Sequence, residues 1–180
     1  MRVILDACIL YPTVLREILT GVAQAGGFTA LYSDRLLEEW ARAAARAGPE
    51  VEGIARAEVA LFRVAFPDGC VATPDGGEDA LSLPDTGDLH VLAAAIEGQA
   101  EVIATVNLRD FPPRTLGRYG IMPRTPDSLL LELHHAGQGD VAGVVEAVRR
   151  QTEHISGKEQ PLRPLLKRAG LPRLGKALAV

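Results

Sequence analysis

Aromatic side chains are scarce: one Trp, three Tyr and four Phe make up 4% of the 180 residues. With Ala, Leu, Val and Gly plentiful, this scarcity argues against a β-sandwich and for helices packed on a small parallel sheet. Cysteine is scarcer still. Cys8 and Cys70 are too few for a disulfide framework and lack metal-site spacing, so two reduced thiols are expected. No apolar run approaches the roughly 20 residues that span a bilayer. Met1-Arg2 leads straight into a strand pattern without a signal-peptide signature, so the expected location is the cytoplasm. Neither GxGxxG nor GxxxxGK[ST] occurs, which removes the Gly-rich phosphate cradle of dinucleotide enzymes and P-loop NTPases. A phosphatase with an aspartyl nucleophile would carry a second Asp two residues after the first, where this chain has Cys8.

What is present suits one sizeable core, since 47% of the residues are hydrophobic. The formal net charge of −4 hides an asymmetry: residues 149–180 hold 8 of the 19 Lys and Arg and 2 of the 23 Asp and Glu. That segment is therefore +6 and residues 1–148 are −10. An acidic body argues against avid binding to long duplex DNA, whereas the basic segment is suited to phosphates or an acidic partner, or is simply a solvated face.

Strand and helix signals alternate. Arg2–Asp6 reads as a buried strand, Pro12 to about Ala25 as a helix stopped by Gly26-Gly27, and Phe28–Tyr32 as a second strand. Ser33 is placed to cap a helix whose inner face is Leu36, Leu37, Trp40 and Ala44, and a further helix runs from about Val51 to Phe66. Pro67–Glu78 reads as loop around a short strand at Cys70–Ala72. Asp85–Glu97 is expected as a helix, Glu101–Thr105 as a strand, and Thr125 as the cap of a helix to about Ala136. Asp140–His154 is amphipathic, and the remainder suits one or two short helices split by Gly170 and Pro172.

Acidic residues recur where these apolar runs end. Asp6 closes Val3-Ile4-Leu5, Glu39 rides the helix after the second strand, Asp85 and Asp88 open the Ala-rich helix, and Asp110 follows Val102-Ile103-Ala104. Carboxylates at the carboxyl ends of parallel strands face the crevice where open α/β sheets bind ligands, and several together repel unless a cation lies between them. Oxygen ligands without Cys or His favour Mg²⁺ or Mn²⁺ over zinc. Taken singly, Asp85 reads equally well as a helix cap, Asp88 as a complement to the helix dipole, and Asp110 as a cap of the turn at Pro112. His90 faces away from Asp88 and reads as a packed or surface histidine rather than a general base.

The segments VILDACILYP, SDRLLEEWARA, LPDTGDLHVLAAAIEGQAEVIATVNLRDFP and YGIMPRTPDSLL resemble the PIN-domain family, near its branch of VapBC-type toxins. The resemblance covers about residues 2–150. It implies a three-layer α/β/α fold with a central parallel sheet of about four or five strands, formed by residues 1–150; beyond it, residues 151–180 read as a basic helical extension. It also implies a Mg²⁺- or Mn²⁺-dependent endoribonuclease, the toxin of a toxin and antitoxin pair, acting on RNA as a homodimer held in check by an antitoxin protein. A non-catalytic PIN module that binds RNA or a protein is the alternative.

Carried over residue by residue, the resemblance assigns the catalytic acids to Asp6, Glu39, Asp88 and Asp110, with Asp85 joining them as metal ligands. Asn107 is the alternative to Asp110 for the last position. Thr105, Asn107 and Arg109 are expected in supporting or substrate-binding roles. Cys8 departs from the Asn, Ser or Thr common two residues after the first Asp, which weakens that position's expected support.

Overall fold

The computed structural model describes every residue except Asp75 and Val180, so the last position of the predicted 151–180 extension lies outside the described residues. In chain order the elements are β1 (Arg2–Leu5), α1 (Ala7–Leu10), α2 (Thr13–Gln24), β2 (Thr29–Leu31), α3 (Asp34–Ala45), α4 (Pro49–Ala65), α5 (Leu89–Glu97) and β3 (Val102–Ala104). They continue with α6 (Pro113–Leu116), β4 (Met122–Arg124), α7 (Pro126–His135), α8 (Val141–Ser156), α9 (Leu162–Arg168) and α10 (Pro172–Ala177).

The chain divides into two compact units, one of Met1–Tyr11 with Thr29–Arg124 and the other of Pro12–Phe28 with Thr125–Val180. The first holds the sheet, whose four strands run parallel in the order β2-β1-β3-β4. Successive strand residues face opposite sides, yet Val3, Ile4 and Leu5 are all at 0% exposure, so both faces of the sheet are covered. That is the helix, sheet, helix layering of the expected three-layer class. Within this unit Ile4, Leu31, Leu36, Leu92, Ile103, Phe111 and Leu116 form one apolar cluster, and α5 packs on β1 and β3.

The strand order matters for function. From β1 the chain goes to one side to make β2 and returns on the other side to make β3, so the connections part between β1 and β3. Such a switch point opens a crevice at the carboxyl ends of the strands.

Local expectations are met closely. Ser33 Oγ accepts the Leu36 N–H at 3.3 Å at the start of α3, and Thr125 Oγ1 accepts that of Ser128 at 3.2 Å at the start of α7. The strand expected at Cys70–Ala72 is reduced to a single parallel bridge between Tyr32 and Cys70, just after a 3₁₀ turn at Pro67–Gly69. Asp85–Glu97 is not one helix: Thr86–Asp88 is a 3₁₀ turn and the α-helix starts at Leu89. β4 was hidden by Pro123, which cannot donate to a ladder and is tolerated here because β4 is an edge strand.

The second unit is helical. Within it α2 packs on α8, α7 on α8 and α10, and α9 on α8 and α10. Gly27 and Gly139 let two turns touch: Gly139 is at φ +70°, and a Cβ on it would lie 2.7 Å from the Gly27 Cα. Asp127, buried in the first turn of α7, accepts the backbone N–H of Arg173 at 3.1 Å and of Leu174 at 3.0 Å, tying down the start of α10. Helix α8 runs without a break through residues 150 and 151. Among the described residues no helix is long and apolar enough to cross a membrane.

Candidate metal centre

Asp6 ends β1 at the switch point, and its backbone N–H is held by the Ala104 carbonyl at 3.1 Å. Asp6 is only 6% exposed, so its carboxylate oxygens need partners within the protein. Two neighbours meet part of this need. Thr105 Oγ1, fully buried just past β3, donates to Asp6 Oδ2 at 2.6 Å, and the Cys8 thiol donates to the same oxygen at 3.0 Å. Both land on Oδ2, which leaves Oδ1 without a hydrogen bond among the described residues. Thr105 Oγ1 in turn accepts the Asn107 N–H at 3.0 Å, so one hydroxyl fixes both the first acid and the loop after β3.

Cys8 therefore takes up the supporting position that its thiol was expected to fill poorly. Burial first, and then the Asp6 charge and hydrogen bond, push its pKa up to about 12, so it stays protonated and keeps donating.

Asp88 opens α5 half-buried, and its side chain makes no capping hydrogen bond. Its pKa is pushed up to about 6, by burial first and then by the negative charges of Asp6, Asp85 and Asp110. These four aspartates thus share one electrostatic environment, although they come from sequence positions 6, 85, 88 and 110. Asp85 is exposed and also does what its simpler reading required: its Oδ1 accepts the Gly87 N–H at 2.8 Å and caps the 3₁₀ turn. Asp110 is half-buried, at the end of a turn closed by its N–H to the Asn107 carbonyl at 3.0 Å. Asn107 and Arg109 are exposed on that turn.

Glu39 on α3 is held differently. Its Oε1 lies 2.8 Å from His90 Nε2 and 3.7 Å from Arg35 Nε. The neighbouring Glu38 turns to solvent and pairs with Arg42 and Arg56. His90 is 2% exposed, and although Nε2 is at ion-pair distance from Glu39, neither ring nitrogen has the alignment of a hydrogen bond with any described residue. The histidine is packed, as expected, rather than on the surface, and its approach to Glu39 adds it to the surroundings of that acid. The available signal for its burial was its place as the one polar residue in the run Leu89–Ile96, where a helix that is otherwise apolar throughout must bury it.

Among the described residues no three His, Cys, Asp or Glu side chains stand together as a ready-made cage. The acids that act on one another around Asp88 are carboxylates, hard oxygen donors that suit Mg²⁺ or Mn²⁺ better than zinc. Mg²⁺ takes one or two carboxylates and keeps several waters, and the hard oxygens of Asp6 and Asp88, under mutual repulsion, suit that demand.

Residues 2–109 match the PIN domain, well over half of the chain. The chain belongs to the PIN-domain family. A 64-residue stretch of this PIN protein is 42% identical to "Putative ribonuclease VapC50" of Mycobacterium tuberculosis (strain ATCC 25618 / H37Rv), and the stretch covers 33% of this chain and 38% of that relative. The chain thus spans little more than a third of the relative's length. No solved structure matches.

Proposed function

We propose that this PIN domain is a Mg²⁺-dependent (or Mn²⁺-dependent) endoribonuclease and the toxin of a toxin and antitoxin pair. The observation that carries the reading is the convergence of Asp6, Asp85, Asp88 and Asp110 on the crevice of a parallel sheet, where burial and like charge already strain Asp88 toward its protonated form. The name of the VapC50 relative supports the substrate class and the partner.

When bound, the cation supplies an activated water and neutralises charge on the phosphate in the transition state. Asp6 and Asp88 would hold it, with Asp110 or Asn107 completing the ligand set and Glu39 reaching it directly or through water. Thr105 and Cys8 keep the Asp6 carboxylate in one orientation, so Oδ1 is presented without reorganisation. Asp85, capping its turn, adds negative charge at the rim. Arg109, exposed beside Asn107, is placed to meet a phosphate of the RNA. On α4, Ile54, Leu61 and Val64 are 62%, 69% and 78% exposed, apolar area of the kind that a second copy or an antitoxin would cover.

Incubating a mixed RNA pool with the protein, with Mg²⁺ and with EDTA, tests the reading. Cleavage should require the cation, and Asp6→Asn and Asp88→Asn should each slow it by at least about 100-fold, the order contributed by one preorganised electrostatic group. RNA that is bound but left intact with Mg²⁺ would instead identify a non-catalytic PIN module, a reading favoured by the uncharged Asn107 at the last position and by Cys8.

A further inference from the structure

We propose that α9 and α10 form an RNA-binding surface that grips the phosphate backbone through Arg163, Lys167, Arg168, Arg173 and Lys176. This rests on the ribonuclease reading for the choice of polyanion, and it concerns a segment beyond the residues 2–109 that match the family.

Both arginines of α8 are already paired with acids of their own helix. On α8, Arg149 pairs with Glu146 at 2.7 Å and with Glu153 at 2.6 Å, and Arg150 pairs with Glu146 at 2.8 Å. Residues 161–180 contain five Lys and Arg and no Asp or Glu. All five cations are exposed, and none is in an ion pair among the described residues; Arg168 donates only to the neutral Gln160 Oε1, at 2.7 Å.

Helix-dipole stabilisation explains only part of this pattern. Lys167, Arg168 and Lys176 lie in the last turns of their helices, where positive charge is locally favourable. Arg163 and Arg173 are each the second residue of a helix, where it is unfavourable. Charge kept against local preference points to an external anion.

The surface is also held in place. Buried Leu165, Leu166 and Leu174 pack α9 and α10, and Asp127 fixes the start of α10 through two backbone hydrogen bonds. Among the described residues of this segment no large hydrophobic side chain is exposed. A protein interface would need an apolar centre, so a phosphate backbone is the better match. Residues 1–148, at −10, offer a polyanion no net attraction, which a cationic grip in the remainder of the chain would offset.

The test compares the wild-type chain with the quadruple variant R163Q/K167Q/R173Q/K176Q, after thermal melts show that both fold. Affinity for a labelled single-stranded RNA is read by fluorescence anisotropy in EDTA over a KCl series, and cleavage kinetics are read in Mg²⁺. Each phosphate contact to a single strand contributes about 0.7 to the slope of log K against log salt, so losing four should flatten it by about 3. The kinetic loss should fall on KM rather than kcat. Unchanged affinity, slope and KM would overturn the proposal, as would unchanged RNA binding with loss of binding to a cognate acidic protein. Wild-type protein that binds RNA with the steep salt slope but never cuts it would sink the ribonuclease reading and leave this surface standing.

Discussion

His90 Nε2 approaches Glu39 Oε1 to 2.8 Å from within the core, joining α5 to α3. A buried ring with no aligned hydrogen bond is expensive unless it serves its neighbours, and two proposed ligands are near it: Glu39 at ion-pair distance, and Asp88, whose charged form it favours. Replacing His90 with Phe keeps a buried ring, larger by about one heavy atom, and removes both nitrogens, leaving Glu39 to Arg35 at 3.7 Å. The expected result is a cation affinity weaker by about 10- to 100-fold, as for other outer-shell partners. Mn²⁺ binding followed by electron paramagnetic resonance measures this without relying on cleavage, and an unchanged affinity would remove His90 from the site.

Asp88 sets a pH dependence whose sign is opposite to that of a salt-bridged acid. Its pKa rises from 3.8 to about 6 on folding, so between those values the folded state holds the proton that the unfolded state has released. Stability of the metal-free protein should therefore fall as pH rises through that window. Asp88→Asn should abolish this contribution and raise the melting temperature at pH above 6 relative to wild type. Added Mg²⁺ should stabilise wild type above that pH and have little effect below about 4. Melting curves of the two proteins across the window, with and without Mg²⁺, decide it.

Thr105 serves two partners with one hydroxyl. In Thr105→Val the shape is kept while buried Asp6 loses its 2.6 Å donor and the Asn107 N–H loses its acceptor. A hydrogen bond to a buried charge is worth about 1.5–3 kcal/mol, and urea unfolding should show a loss of that order. Thr105→Ser should restore most of it.

The two thiols should differ in reactivity. Cys8 is held protonated at a pKa of about 12, whereas Cys70 is exposed. Burial and the Asp34 charge also raise the Cys70 pKa, so Ellman's reagent should label Cys70 in the native protein more slowly than a free thiol, and Cys8 only on unfolding. Rapid labelling of Cys70→Ser would show that the Cys8 contact with Asp6 is not kept in solution.

Asp127 tests the anchoring of the basic surface. Asp127→Ala leaves the Arg173 and Leu174 N–H groups without their acceptor, at a cost of about 2 kcal/mol. Faster amide hydrogen exchange confined to α10 is the expected sign, and unchanged exchange there would contradict it.

Much of this protein could be read from local order along the chain. Apolar periodicity placed the helices, Ser33 and Thr125 declared their own caps, and Asp6 stands out because an acid directly after Val3-Ile4-Leu5 must sit at the mouth of a buried strand. These features depend on neighbours within a turn or two, so spacing alone determines them. Others depend on partners far away in sequence. That Glu39 meets His90, that Cys8 and Thr105 share one oxygen of Asp6, and that Asp127 reaches α10 were decided only by tertiary packing. The same holds for α2, which follows β1 in the chain yet packs on α8 in the other unit. A residue's type and spacing reveal its own preference, whereas the identity of a distant partner is set by which buried surfaces and charges the closed fold brings within a few ångströms.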